Sequence, residues 1–248
     1  MNKLIERFTL KIKRAETPFY AALKRFAQNI ISGNLPLPRF LYPLLRLVFS
    51  LQRAIRNSFQ WAVTFFFRSP LFRSRCESVG KGLRLTCLPE INGHVKIWIG
   101  DNVNFFGVVG IYSGAILDEP KLIFGNRVDI GHNVQFVVNR EIVFEDDVNV
   151  ATGARFMDSD AHPRDTAERI ADRPPHPDEI KPVRICRYAW IGQNSFILKG
   201  VTIGEGAIIG VNSVVVTDIP PYSVAMGNPA RVVVKNLARP SEAPVKPD

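Results

Sequence analysis

The feature that most constrains this chain is an aliphatic side chain at every sixth position. Ile185, Ile191, Ile197, Ile203, Ile209 and Val215 keep that step without a gap. Four residues after each stands Ala189, Ser195, Val201, Ala207, Ser213 or Ile219, most of them small, and Gly192, Gly204 and Gly210 directly follow three of the six. Upstream, Phe124, Ile130, Phe136 and Ile142 hold the same step, with Val128 and Val134 at the small position. After a two-residue shift Phe144, Val150 and Phe156 resume it with Val148 and Ala154, and Ile99, Phe105 and Ile111 begin the series. A period of six is neither that of a strand nor that of a helix. It suits a solenoid in which each flat face takes one repeat. The aliphatic residue then points into a narrow three-sided interior and stacks on its equivalent one coil away. The small residue lies near the corner, where bulk clashes, and glycine and asparagine supply the tight turns. Three faces of six make an 18-residue coil, which residues 124–141, 185–202 and 203–220 each fill. An ordinary sheet domain with accidental spacing does not produce two offset registers together.

The first third of the chain has another texture. Leu4, Phe8 and Ile12 recur at helical spacing, as do Leu41, Leu44, Leu45, Val48 and Leu51. Pro36, Pro38 and Pro43 break this stretch into pieces, and Ser69-Pro70 is expected to end it. The formal charge of +9 is concentrated here: residues 1–76 hold fourteen Lys/Arg against Glu6 and Glu16, a net of +12 that leaves −3 for the remainder. No apolar run approaches the roughly 20 residues of a bilayer span, and the start lacks the apolar core of a signal peptide. Two readings compete: a helical cap on the main domain, or an amphipathic surface lying on an anionic membrane. No nucleic-acid motif accompanies the charge. Three widely spaced cysteines form neither a disulfide framework nor a zinc signature and fit a reducing compartment. The expected organisation is a basic helical region over 1–78, a mainly β solenoid over 79–235 with an inserted loop at 161–182, and a disordered tail over 236–248.

The repeat stops at Asp160 and restarts near Val183. The polar, proline-rich insertion should project as a loop, and long loops on rigid scaffolds often carry function. At its start lies MDSDAHP, with His162. An alcohol is a poor nucleophile at neutral pH, and an imidazole, with an ordinary pKa near 6.5, can take its proton and return it to a leaving group. Four histidines are present: His94, His132, His162 and His176. His176 precedes Pro177 but lacks the DSD that leads into His162. Asp158 or Asp160 would either orient the imidazole or anchor the loop by accepting backbone amides.

The run WIGQNSFILKGVTIGEGAIIGVNSVVVTDIPPYSVAMGNPAR resembles the C-terminal signature of the hexapeptide-repeat acyltransferases, the group that includes galactoside and maltose O-acetyltransferases. The resemblance covers about residues 95–235 and is most specific over 183–231. It implies a left-handed coil, a homotrimer with sites between adjacent solenoids, and acetyl-CoA as co-substrate with no metal. It implies His162 as catalytic base and Asn133 as acceptor contact. On the donor side it implies Trp190, Gly192, Gly210, Ser213, Arg231 and Lys235, the last two for the CoA phosphates, and an oxyanion held by amides of a turn near Gly192. Val216 departs from the threonine that several sugar acetyltransferases carry. The activity implied is O-acetylation of a saccharide, such as a polysaccharide or a lipid-linked glycan precursor, in the cytoplasm, at a membrane's inner face if residues 1–75 lie on it. N-acetylation of an amino-sugar and a non-catalytic scaffold are the alternatives. A γ-type carbonic anhydrase, which needs three closely placed histidines, fits poorly.

Overall fold

The computed structural model describes residues 2–33, 38–114 and 116–237, with backbone alone for 2–7; most of the tail expected at 236–248 therefore lies outside the described residues. The chain forms two compact units that divide between Phe59 and Gln60. In the first, α1 (Asn2–Arg14) and α2 (Pro18–Ile31) are followed by α3 (Tyr42–Val63), whose last turn enters the second unit. Thr17 caps α2, its hydroxyl accepting the Tyr20 amide. Phe8 meets Tyr20 edge to face at 5.8 Å. Every side chain from Tyr42 to Trp61 is exposed.

Ser69-Pro70 does not end the helical region, as its composition suggested. A π-turn over Thr64–Arg68 leads into α4 (Ser69–Arg73), with Pro70 in the first turn. A proline there removes only an amide that would otherwise lack a partner, and the wide turn relieves the carbonyls behind it. Phe72 of α4 is buried and meets Phe105 edge to face at 5.7 Å. Arg68 donates to the Thr86 carbonyl at 3.0 Å. So α4 closes the first end of the β-domain, which an open solenoid requires.

That domain is a left-handed parallel β-helix. Its first face runs through Ser78–Val79, Lys96–Ile99, Lys121–Phe124, Glu141–Phe144, Val183–Ile185 and Thr202–Ile203. The second runs from Arg84–Leu85 to Ile208–Ile209 and continues into Val224–Gly227 and Ala230–Val234. The third runs from Glu90–Asn92 to Val214–Val215. Among the described residues pairing is parallel except in the closing hairpin, Val224–Gly227 against Ala230–Val234. The hexad residues stack one coil apart as expected: Phe124 on Phe144 and Ile185 on Ile203 on the first face, Val150, Ile191 and Ile209 on the second, and Phe136, Phe156, Ile197 and Val215 on the third. All of these are buried. Phe105, Phe124, Phe136, Phe144 and Phe156 form an aromatic column with ring centroids 4.9–5.6 Å apart. Asn102, Asn133, Asn194 and Asn212 take positive φ at corners, the turn role the sequence gives them.

The coil length is not constant. Steps between inward residues across the first-to-second and second-to-third corners are always six residues, from Ile99–Phe105–Ile111 to Ile203–Ile209–Val215. Across the third-to-first corner they are 13 (Ile111 to Phe124), 8 (Phe136 to Phe144), 29 (Phe156 to Ile185) and 6 (Ile197 to Ile203). The coil beginning at Phe124 is thus 20 residues, not 18, because the extra two are absorbed at Val138–Arg140. All irregular chain collects on one edge of the prism.

Candidate active site

That edge carries the catalytic candidates. Asp158 ends the strand Arg155–Met157 and is fully buried. Its carboxylate accepts the amides of Asn139 at 2.9 Å, Arg140 at 2.7 Å and Glu141 at 2.9 Å from the preceding coil. Burial pushes this carboxyl up to about 6, against the pull of those three amides. Its backbone carbonyl accepts the Lys181 amide at 2.9 Å, tying the end of the insertion to its beginning. Of the two roles open to Asp158, its contacts are those of the anchor, and His162 is not among them.

The next residues turn sharply. Ser159 is buried and its hydroxyl accepts the Ala161 amide at 2.9 Å. Ala161 sits at φ +64, where a Cβ is crowded, at a cost of about 1 kcal/mol. This turn carries the His162 ring outward, exposed and without a hydrogen bond among the described residues, while Pro163 behind it is buried. Asp160 is half-exposed and pairs with Lys199 at 2.5 Å; the Lys199 side chain is only 10% exposed. Arg164 lies 3.9 Å from Asp160 and 4.0 Å from Glu179. Lys199 was not legible as a site residue, because it stands in an ordinary hexad and meets Asp160 only through the coil-to-coil stacking.

The insertion is folded rather than loose. It contains α5 (Thr166–Ile170), capped by Asp165, whose carboxylate accepts the Glu168 amide. Pro175 and Ile180 are buried, and Arg140 reaches from the coil before to the Pro177 carbonyl at 2.6 Å. His176 is exposed and held by Glu168 at 3.0 Å, which raises its pKa. It serves the loop's own structure.

The acceptor and donor candidates lie elsewhere on the same chain. Asn133 occupies the second-to-third corner in a left-handed turn, its amide on the Val108 carbonyl and its exposed carboxamide without a protein partner among the described residues. His132 beside it receives the Val108 amide on Nδ1 at 3.2 Å. Trp190 is 53% exposed on the second face. Gly192, Gly210 and Ser213 follow at the second-to-third corner in successive coils, and Arg231 and Lys235 lie on and just beyond the closing hairpin. The Ser213 hydroxyl is buried and accepts the Gly227 amide at 3.1 Å. In the turn near Gly192 the Gly192 amide itself is spent on the Ile209 carbonyl at 2.8 Å, a rung of the coil ladder. The Gly210 amide is likewise bonded to Ala225. Gly192 is instead required by space, since a Cβ would lie 2.5 Å from the Ile209 oxygen. Gly192→Ala should cost about 2 kcal/mol, read as a fall in melting temperature of about 5 °C.

His162 and the donor-side group therefore stand at different edges of one prism, separated by a strand of the third face. Four residues such as Val134–Val137 span about 13 Å. Among the described residues no cluster of His, Cys, Asp or Glu could hold a metal ion.

The fold is thus a left-handed parallel β-helix wound from six-residue repeats. Residues 182–217 match the family described as bacterial transferase hexapeptide (six repeats), and the chain is similar to hexapeptide-repeat acyltransferases. It is 33% identical over 156 residues to a probable acetyltransferase of Mycobacterium tuberculosis, covering 62% of this chain and 48% of the relative. It is 33% identical over 148 residues to a putative acetyltransferase of Schizosaccharomyces pombe, covering 59% of each. The chain thus spans about half the length of these curated relatives. Among solved structures, the fold matches AntD, an N-acyltransferase from Bacillus cereus, with a TM-score of 0.53 at 19% identity over 70% of this chain and 90% of that one.

Proposed function

We propose that this protein transfers an acetyl group from acetyl-CoA to a hydroxyl of a saccharide, with His162 as general base. The observation that carries the reading is the placement of His162: an exposed imidazole without a hydrogen bond among the described residues, held by a strained turn on a doubly anchored insertion, at an edge where the repeat is interrupted. The imidazole takes the acceptor's O–H proton as that oxygen attacks the thioester carbonyl carbon. The tetrahedral intermediate collapses with cleavage of the C–S bond, and the imidazolium returns the proton to the CoA thiolate. The Asp160–Lys199 pair fixes the turn two residues away. The pantetheine arm would run along the second-to-third corner past Trp190, Gly192, Gly210 and Ser213, with Arg231 and Lys235 meeting its phosphates. Asn133 would contact the acceptor.

Because His162 and these donor groups occupy different edges, the reading requires a second copy to bring them together. A homotrimer with a site at each junction supplies this by symmetry. Light scattering of active protein is expected to give three times the chain mass; an active monomer would contradict the shared site. The acceptor we favour is a polysaccharide or lipid-linked glycan precursor presented at the inner face of a membrane through residues 1–75. Among the described residues no helix is long and apolar enough to cross a bilayer. The test of the activity is mass spectrometry of candidate glycans incubated with acetyl-CoA. Alkali-labile acetyl groups on the product support O-transfer. Alkali-stable ones assign an amino-sugar acceptor, and an unmodified set with no acetyl-CoA binding by calorimetry favours a scaffold.

A further inference from the structure

The 22 residues of α3 hold a pattern that the β-helix does not explain. On a helix of 3.6 residues per turn, Leu44, Leu47, Val48, Leu51, Ile55 and Phe59 share one face. Arg46, Arg53 and Arg56 share the opposite face with Ser50, Asn57 and Gln60. Each of those six apolar side chains is more than half exposed. A stripe of this kind, about 24 Å long, needs an occupant. Its surroundings say which kind. From residue 17 to residue 76 there are nine Lys/Arg and not one Asp or Glu. A second copy of the same helix would cover the apolar stripe but leave the arginine face unanswered, since the region holds no acid. A surface that is apolar below and anionic above satisfies both faces at once.

We propose that α3 is an interfacial anchor for an anionic phospholipid surface. It lies in the plane of the membrane, with the Leu44–Phe59 stripe in the acyl boundary and Arg46, Arg53 and Arg56 among the headgroup phosphates. Trp61, 65% exposed and stacked on Phe65 at 5.3 Å, sits at the helix end where an amphipathic ring suits the headgroup level. This deepens the membrane contact within the proposed function and rests on that part alone; the solenoid's donor chemistry can fail without touching it.

The test is co-sedimentation of the full chain with vesicles of phosphatidylcholine alone or with a third phosphatidylglycerol. The expected result is binding to the anionic vesicles that weakens on the order of a hundredfold in Arg46→Gln/Arg53→Gln/Arg56→Gln and is lost in Leu51→Glu/Ile55→Glu. Both variants should keep the wild-type circular dichroism and the wild-type affinity for acetyl-CoA. Equal binding to both vesicle types, or to neither, overturns the proposal. So does Leu51→Glu/Ile55→Glu remaining on the vesicles while its particle mass falls, which would assign the stripe to a second copy.

Discussion

On the proposed reading, replacing His162 by alanine is expected to lower kcat for acetyl transfer to a glycan hydroxyl by about a thousandfold and to leave acetyl-CoA affinity within about twofold of wild type. The asymmetry follows from where the residue sits. The ring is exposed and takes no hydrogen bond from the described protein, so its removal strands no partner and opens no cavity. Melting temperature should be unchanged. The ring is asked to move a proton and holds none of the CoA phosphates or pantetheine arm, so binding of the thioester should not register the loss. A fall in kcat of less than about tenfold would remove the imidazole from the proton's path. A matched fall in stability would make it a structural residue. Steady-state kinetics with a soluble acceptor, beside a thermal melt of the same preparation, separates the three outcomes.

Asp158→Ala is expected to do the opposite: to damage the fold first and activity through it. Three amides, of Asn139, Arg140 and Glu141, lose their acceptor inside a fully buried corner. At about 1 kcal/mol each the loss is about 3 kcal/mol, or a melting temperature lower by about 10 °C. The Asp158 carbonyl and Lys181 amide that close the insertion lie on the same residue and its partner. Protease cleavage within 161–182 should therefore accelerate, and kcat should fall with it. The pH dependence has a definite sign. Burial raises the folded-state value to about 6 from an ordinary 3.8, so the folded protein holds this proton more tightly than the unfolded chain. The proton-linked part of its contribution to stability is full below 3.8 and is lost as pH rises through 6, leaving the amide contacts in place. Wild type should therefore gain on Asp158→Asn as the pH is lowered from 7 to 5. A gap that narrows on acidification would mean the amides, not burial, set this carboxyl.

The solenoid was legible because its physics is periodic. An inward residue must return at every face, so Ile185 to Val215 and Phe124 to Phe156 display the coil directly in the sequence. The turn asparagines were legible for a similar reason, a left-handed corner asking for one of few residue types. The site was legible only at its edges. MDSDAHP marked the interruption, but which aspartate does what depends on amides 17–19 residues upstream, and Lys199 meets Asp160 only once two coils are stacked. The amide of Gly192 and its missing Cβ are both accounted for by Ile209 one coil away, a contact that a single hexad does not display. Ser69-Pro70 looked like a stop signal, yet the helix path resumes into α4 because a first-turn proline is cheap and because Phe72 has the open end of the coil to fill.

One measurement bears most directly on the claim that the reacting groups meet only between copies. His162→Ala and a donor-edge variant, Trp190→Glu/Arg231→Glu, are each purified inactive, then unfolded, mixed in equal amounts and refolded together. If each site draws its imidazole from one copy and its thioester groove from another, about a quarter of the sites in random trimers carry both intact halves, and about a quarter of wild-type activity should return. If one chain supplies both halves, the mixture stays as inactive as its components, and the account of a shared site is wrong.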